Sequence, residues 1–553
     1  MGEKLTPEQK EAYEARDLET GDALSRAGPK KVIVAGPGTG KTHFFKKLFA
    51  TASEGDKLTL TFINALVEDL SLELRGISDV RTLHGYALSR FKEDRVRIFP
   101  GMHKIIRDDG RFLLNQDIDF EKKIHEIDDS EGHLDFYSVR RRYYDHFGYS
   151  DIILGLVRLF QKNPDRIPAY SQIVVDEFQD FNQLEVTLIE LLSTKSPILV
   201  AGDDDQAIYD FKSARPTFIR ELHGDGRPDF EFIPLSFCSR SSKVIVDTVN
   251  DLVSSATTRG FLNGRVPKAY RYFPSPDKDR ESAAEPQIIH KRLEDTQIAW
   301  FIAEEINNIA TERREKFDVL VISPFTAQCE KIGRGLIGKG FRAVEFKEKE
   351  SHEISYLDGL RLLLRRRTGA ESNLGWRIAS RFKLSEEEFR ETLQSSVSNS
   401  GAPFRAQVPT TTRNLIERDV EILRGVKDKQ AVTPDELNTL LESLSLDQHE
   451  VKAEYVRDRL LKGRFGTQQY PGVTRIPITA TTIQSSKGLS GEYVFITHFD
   501  QRYLPGPSGV SDQNICNMLV ALTRAEKKVW LISTTDQSSE FLDWINPDRV
   551  RHE

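Results

Sequence analysis

Residues 31 to 42 read KVIVAGPGTGKT, and the change of character inside this stretch sets the reading of the whole chain. KVIVA is a short Val/Ile run of the kind that forms a strand buried on both faces of a parallel sheet. The glycines of GPGTG let the backbone fold tightly enough for its N–H groups to converge on phosphate oxygens, and HFFKKLF then opens a helix whose N-terminus favours an anion. Lys41 would place a point charge on the β and γ phosphates of a nucleoside triphosphate, and Thr42 a hydroxyl on Mg²⁺. Ala35 stands where the general phosphate-loop pattern begins with glycine.

Outward from this loop, further apolar runs recur at 58–63, 172–176, 197–202, 317–323, 493–499 and 528–533, separated by helical patterns. Alternation of this kind predicts α/β layers. One run ends in VVDEFQD (174–180). Carboxylates at a strand's C-terminal edge reach a phosphate-bound metal, so Asp176 is the candidate Mg²⁺ ligand and Glu177 the group that polarises the attacking water.

The chain has 553 residues, enough for about three to four domains. Its 78 Lys and Arg against 85 Asp and Glu give a net charge of -7, so a polyanion must bind in a local channel. Cys238, Cys329 and Cys516 are far apart and form no CxxC pair, which argues against a disulfide framework or zinc site and fits a reducing cytoplasm. No signal peptide or membrane-spanning run appears, and the expected setting is cytoplasmic, away from membranes. Residues of about 89–167 and 353–474 are charged and helix-prone and lack the Val/Ile runs, which predicts two helical insertions. FYSVRRRYY (136–144) within the first is either a phosphate-gripping cluster or a helix face with buried rings. RLLLRRR (361–367) reads first as an amphipathic helix, and Trp376 as core. The triplet Glu345-Phe346-Lys347 has the form found in some nucleases, but no partner aspartate motif precedes it at a convincing place, and no nuclease domain is expected.

Taken with LVAGDDDQAIYDF (199–211) and VALTRAEKK (520–528), these motifs resemble the UvrD/Rep/PcrA group of superfamily 1 DNA helicases, in the same order along most of the chain. The resemblance implies two RecA-like P-loop domains, parallel sheets flanked by helices, each with a mainly helical insertion. Its boundaries would be 1–88 plus 168–260 for the ATP-binding half and 89–167 for its insertion. The second half would be 261–352 plus 475–553, with 353–474 as the second insertion. ATP contacts would come from Gln9, which reads adenine in the group, from Ala35, Gly36, Pro37, Gly38, Thr39, Gly40, Lys41, Thr42 and His43, and from Gly488. Arg240 would touch the γ phosphate, Arg524 would be the arginine finger, and Gln206 would stand between ATP and DNA. Phe62, Asn64, His84 and Lys212 would face single-stranded DNA, with Tyr209 and Phe211 as base-stacking platforms.

Three departures from the group stand out. Cys238-Ser239-Arg240 replaces an Asn-Tyr-Arg core, Gln484 replaces a histidine, and Ser490 replaces a glutamate; Phe237 and Glu492 are the nearby substitutes. The resemblance implies an ATP-dependent, Mg²⁺-requiring DNA helicase moving 3′ to 5′ on single-stranded or tailed duplex DNA, with a place in DNA repair. A second reading is a DNA-stimulated ATPase that senses DNA for a separate nuclease or repair partner and unwinds weakly.

Overall fold

The computed structural model describes residues 5–26, 28–62, 64–91, 96–209, 213–223, 227–313, 316–341, 343–347, 353–364, 372–399, 401–428, 432–444, 476–535 and 537–553. The chain divides into two units: Met1–Tyr86 with Val157–Lys349 and Gln469–Glu553, and Ala87–Leu156 with Glu350–Gln468.

The first unit contains two parallel sheets. Strands β1 (Lys30–Val34), β2 (Lys57–Thr61), β3 (Asp79–Thr82), β4 (Gln172–Val175), β5 (Ile198–Gly202) and β6 (Glu231–Ile233) form one, in the order β3-β2-β4-β5-β1-β6. Two short strands, β7 (Phe237–Cys238) and β8 (Arg271–Tyr272), pair with each other. Then β9 (Ile288–Arg292), β10 (Val319–Ser323), β11 (Val344–Lys347), β12 (Ile478–Thr482), β13 (Gly491–Thr497), β14 (Ala525–Ser533) and β15 (Val550–His552) form the second sheet, in the order β11-β12-β10-β13-β14-β9-β15. Helices flank both sheets, which is the α/β architecture expected. The Val/Ile runs lie at β1, β2, β4, β5, β10, β13 and β14, and β4, β5 and β10 are buried at every position. Covering both faces of a strand is what a continuous apolar run requires.

Because the strands of the first sheet are parallel, their C-terminal ends share one edge, where α/β folds place their ligand sites. The phosphate loop leaves β1 there, the acidic loop leaves β4, and residues 203–206 leave β5, the strand between them. The helix that follows the phosphate loop begins at Lys41 and runs to Thr51, entered through Gly40 at φ 84. That left-handed value favours glycine. The helix Lys243–Thr258, grouped above with the first half, instead buries Val244, Ile245 and Leu252 in one core with Ile515, Leu519 and Val529 of the second. Its apolar stripe faces the helix Asp512–Leu522, and the same core also takes in Ile208, Tyr209 and Cys238.

The second unit is helical, its one bridge among the described residues being Ile98 with Phe147. At its centre Asp109 is fully buried and accepts from Arg140 Nε (2.9 Å), Arg377 Nε (3.0 Å) and the Tyr144 hydroxyl (2.6 Å). Arg140 of the arginine-aromatic cluster is therefore a buried structural cation, and Arg141 lies over the Phe147 ring at 3.9 Å. Trp376 is core, as expected. Asp109→Ala leaves two buried guanidinium groups without their carboxylate, and urea unfolding should show a loss of about 3–5 kcal/mol in this unit. No described helix is long and apolar enough to cross a membrane.

Candidate functional site

The phosphate loop is closed from inside by Thr39, whose hydroxyl donates to Gly36 O at 2.8 Å. Lys41 Nζ reaches back to Ala35 O at 3.4 Å. A Cβ on Gly36 would fall 2.6 Å from the Tyr270 ring, and one on Gly38 would fall 2.5 Å from Arg240 Cβ. Both glycines are thus required by close neighbours, and Gly38, at φ 71, by the turn as well.

At the end of β4, Asp176 is buried and its Oδ1 accepts from Glu177 N at 3.0 Å. Burial, with Glu177 beside it, pushes the Asp176 carboxyl up to about 7. Burial would raise Glu177 as well, but Lys487, Lys41, Gln179 and Arg524 outweigh it and hold this carboxyl below the ordinary glutamate value. A buried carboxylate beside a half-buried one, with this imbalance, is a donor set that fits a divalent cation. A carboxyl raised from 3.8 to about 7 favours the fold at low pH, and that contribution is lost as pH rises through about 7. Asp176→Asn, which mimics the protonated group, should raise Tm at pH 8 in the absence of divalent cation. The gain should shrink on acidification below pH 7; a pH-independent difference would contradict the assignment.

Residues 238–242 form a seam between the sheets. Ser239 N donates to Gly38 O (3.0 Å) on the phosphate loop, while Ser241 Oγ donates to Ala525 O (2.7 Å) and Ser242 N to Glu526 O (2.8 Å) on β14. Arg240 is held against the loop in this way. Arg524 approaches from the second sheet with every nitrogen engaged: Nε on Val520 O (3.0 Å), Nη1 on Leu489 O (3.0 Å), Nη2 on Gln206 Oε1 (3.1 Å) and Thr523 Oγ1 (3.2 Å). Burial lowers its guanidinium to about 10, and Arg240 presses in the same direction. Two guanidinium groups that disfavour each other beside a phosphate loop mark a place for a polyanion.

Gln206 joins this arginine to the acidic loop. Its Nε2 donates to Asp203 Oδ2 (2.8 Å), Asp203 N donates to Gln179 Oε1 (3.0 Å), and Gln179 Nε2 donates to Glu177 Oε2 (2.6 Å). Lys487 Nζ, buried, donates to Asp180 Oδ1 (2.8 Å) and Gln206 O (2.6 Å). Sequence reading does not single out Gln179, Lys487 or Lys268, although the first lies inside VVDEFQD.

Gln9 caps its own helix, accepting from Thr6 N (2.9 Å), and donates to Asp279 Oδ2 (2.7 Å), so its amide is engaged within the protein. His43 is exposed on the helix after the loop, and Gly488 has φ 87 in the turn before β13. Phe237 is buried against Phe273, Glu492 pairs with Arg313 and Lys527, and Ser490 donates to Glu526 Oε1 (2.8 Å). Phe62 and His84 are half-buried. Asn64 begins a helix, its side chain outside the described residues, as are Phe211 and Lys212.

Tyr209 requires a correction. It is not an open stacking platform: it is 4% exposed, its hydroxyl donates to Gln484 O (3.0 Å), and Phe62 packs on its ring at 5.3 Å. The junction between the sheets needs a large apolar filler there, and Tyr209 belongs to that core.

A family model, the UvrD/REP helicase N-terminal domain, matches residues 114–226, which include β4, the acidic loop, β5 and Gln206. The chain is UvrD/Rep/PcrA-like. It is 23% identical over 283 residues to DNA helicase II of Haemophilus influenzae, covering 41% of this chain and 39% of that protein. It is 35% identical over 115 residues to the ATP-dependent DNA helicase srs2 of Schizosaccharomyces pombe, covering 20% and 12%. Against the ATP-dependent DNA helicase PcrA of Staphylococcus aureus it is 32% identical over 116 residues, covering 20% and 16%. The UvrD-like chain thus matches well under two thirds of the length of each of these relatives.

Proposed function

We propose that this UvrD-like chain is an ATP-dependent DNA helicase that hydrolyses ATP at the seam between its two sheets and moves along single-stranded DNA. The observation that carries the reading is the convergence of Lys41, Arg240 and the Glu177 loop with Arg524, which comes from the other sheet. A triphosphate on the loop would draw Lys41 off Ala35 O and bring its negative charge to Arg240 and Arg524. Glu177, held ionised by its cationic neighbours, would take the proton of the attacking water. Mg²⁺, held by Thr42 and Asp176, would neutralise phosphate charge. Gln206 would report phosphate occupancy to the segment that carries Tyr209 and, through it, to Phe62.

The 3′ to 5′ direction and the division into two ATP-site halves with two insertions are carried over from the resemblance. Purified protein given ATP and duplexes with 3′ or 5′ DNA tails tests both activity and polarity. Separation of the 3′-tailed duplex alone is the expected result. DNA-stimulated hydrolysis without separation would replace the helicase with a DNA-sensing switch for a partner, and no hydrolysis would remove the ATP site.

A further inference from the structure

Three consecutive carboxylates follow β5. Asp203, Asp204 and Asp205 are all buried, and their ligand oxygens lie close enough together to hold a cation. The Lys268 ammonium takes that place, 2.9, 2.6 and 2.7 Å from the three in turn. Arg265 pairs with Asp205 (2.6 Å) and Arg220 with Asp204 (2.9 Å), so Lys268 is the cation that reaches Asp203 among the described ion pairs. Lys268, Asp203 and Gln206 line a cavity of about 230 Å³ together with Gly36 and Pro37 of the phosphate loop.

The Gln206 amide sits between Asp203 and Arg524, and the chemistry of its neighbours dictates how it must face. An ionised carboxylate only accepts, and a guanidinium only donates. The NH₂ therefore turns to Asp203 and the carbonyl oxygen to Arg524, with no second arrangement that satisfies both. This holds only while Asp203 carries its charge. Burial, with Asp205 and Asp204 beside it, holds the Asp203 carboxyl above its ordinary value, and Lys268 is the largest influence opposing that rise, ahead of Lys41. A protonated Asp203 would donate as well as accept, and the amide would be free to reverse and turn its NH₂ against the guanidinium.

We propose that Lys268 is a positioning residue for ATP hydrolysis: its ammonium keeps Asp203 an acceptor, which fixes the Gln206 amide and through it the aim of Arg524. It acts through three side chains, Asp203, Gln206 and Arg524, and touches none of the reacting atoms. The inference rests on the reading of Gln206 and Arg524 as ATP-site residues.

The test uses the full chain with K268M, D203N, R524A and K268M/R524A, measuring ATP hydrolysis with saturating single-stranded DNA. K268M should lower kcat by about tenfold to a hundredfold, the scale of one lost hydrogen bond to a charged group, while KM for ATP stays within about threefold. In the R524A background the same change should slow hydrolysis by less than about twofold, because both substitutions break one chain of contacts. A kcat for K268M within about twofold of the parent, or an undiminished further loss in the R524A background, overturns the proposal. If K268M fails to fold by circular dichroism, the near-isosteric D203N carries the test, with the same loss expected and parental kcat overturning it. R524A at the parental rate would instead bring down the underlying reading of the ATP site, an outcome distinct from a slow R524A with a normal K268M.

Discussion

Arg524→Ala should slow DNA-stimulated ATP hydrolysis by about 10³-fold or more, the range measured for arginine fingers on transferring phosphoryl groups. Nucleotide affinity should fall far less. The side chain is pinned by four contacts, on Val520, Leu489, Gln206 and Thr523, so it arrives at the seam already oriented. Its burial and the nearness of Arg240 make it a poorly solvated cation, and charge developing on a phosphoryl group is the partner such a cation favours most. Arg524→Lys should not restore the rate, because a lysine cannot reproduce the fork that reaches Gln206 and Leu489 together. Steady-state and nucleotide-binding measurements on both variants check this. A rate within about threefold of the parent would mean the finger lies elsewhere.

Glu177→Gln should cost about 10² to 10⁴ in turnover and leave ATP binding intact. Glu177 stands at φ 57, a left-handed value uncommon outside glycine, asparagine and aspartate, so its backbone is held by the surrounding loop. Gln179, Lys487 and Lys41 converge on its carboxylate and keep it charged, a condition a base must meet before it can accept a proton. Glutamine preserves the shape and removes the charge. It also relieves Asp176, whose carboxyl is raised by burial first and by Glu177 next. Binding of a fluorescent ATP analogue should therefore be unchanged or tighter while single-turnover hydrolysis collapses. Parental turnover would disqualify Glu177.

The central strands are legible in the sequence because β1, β4, β5, β10, β13 and β14 are apolar on both faces, and sheet centres demand that. Strand β12, ITATT, lies inside the second sheet yet escapes such a reading, because its threonines are β-branched fillers that look polar in a hydropathy pattern. Strands β3, β6 and β15 lie at sheet edges and carry little apolar signal. Within the site, the phosphate loop and the acidic loop are readable because the chemistry is local in sequence. Lys268 lies 64 residues from Asp204 and Lys487 lies 307 from Asp180, and only the fold brings these charges together. Tyr209 is misplaced by sequence for a related reason: whether an aromatic ring faces solvent or core depends on what packs over it, here Phe62 and the chain at Gln484.

The convergence of Lys41, Glu177, Arg240 and Arg524 on one nucleotide is tested most directly by ATP hydrolysis by the purified chain with and without a single-stranded oligothymidylate. A phosphate-release rate that rises at least about tenfold with DNA, and vanishes with chelation of divalent cations, is the result expected of a site assembled across the seam and coupled to a strand. Turnover that ignores DNA, or no turnover at all, would contradict it.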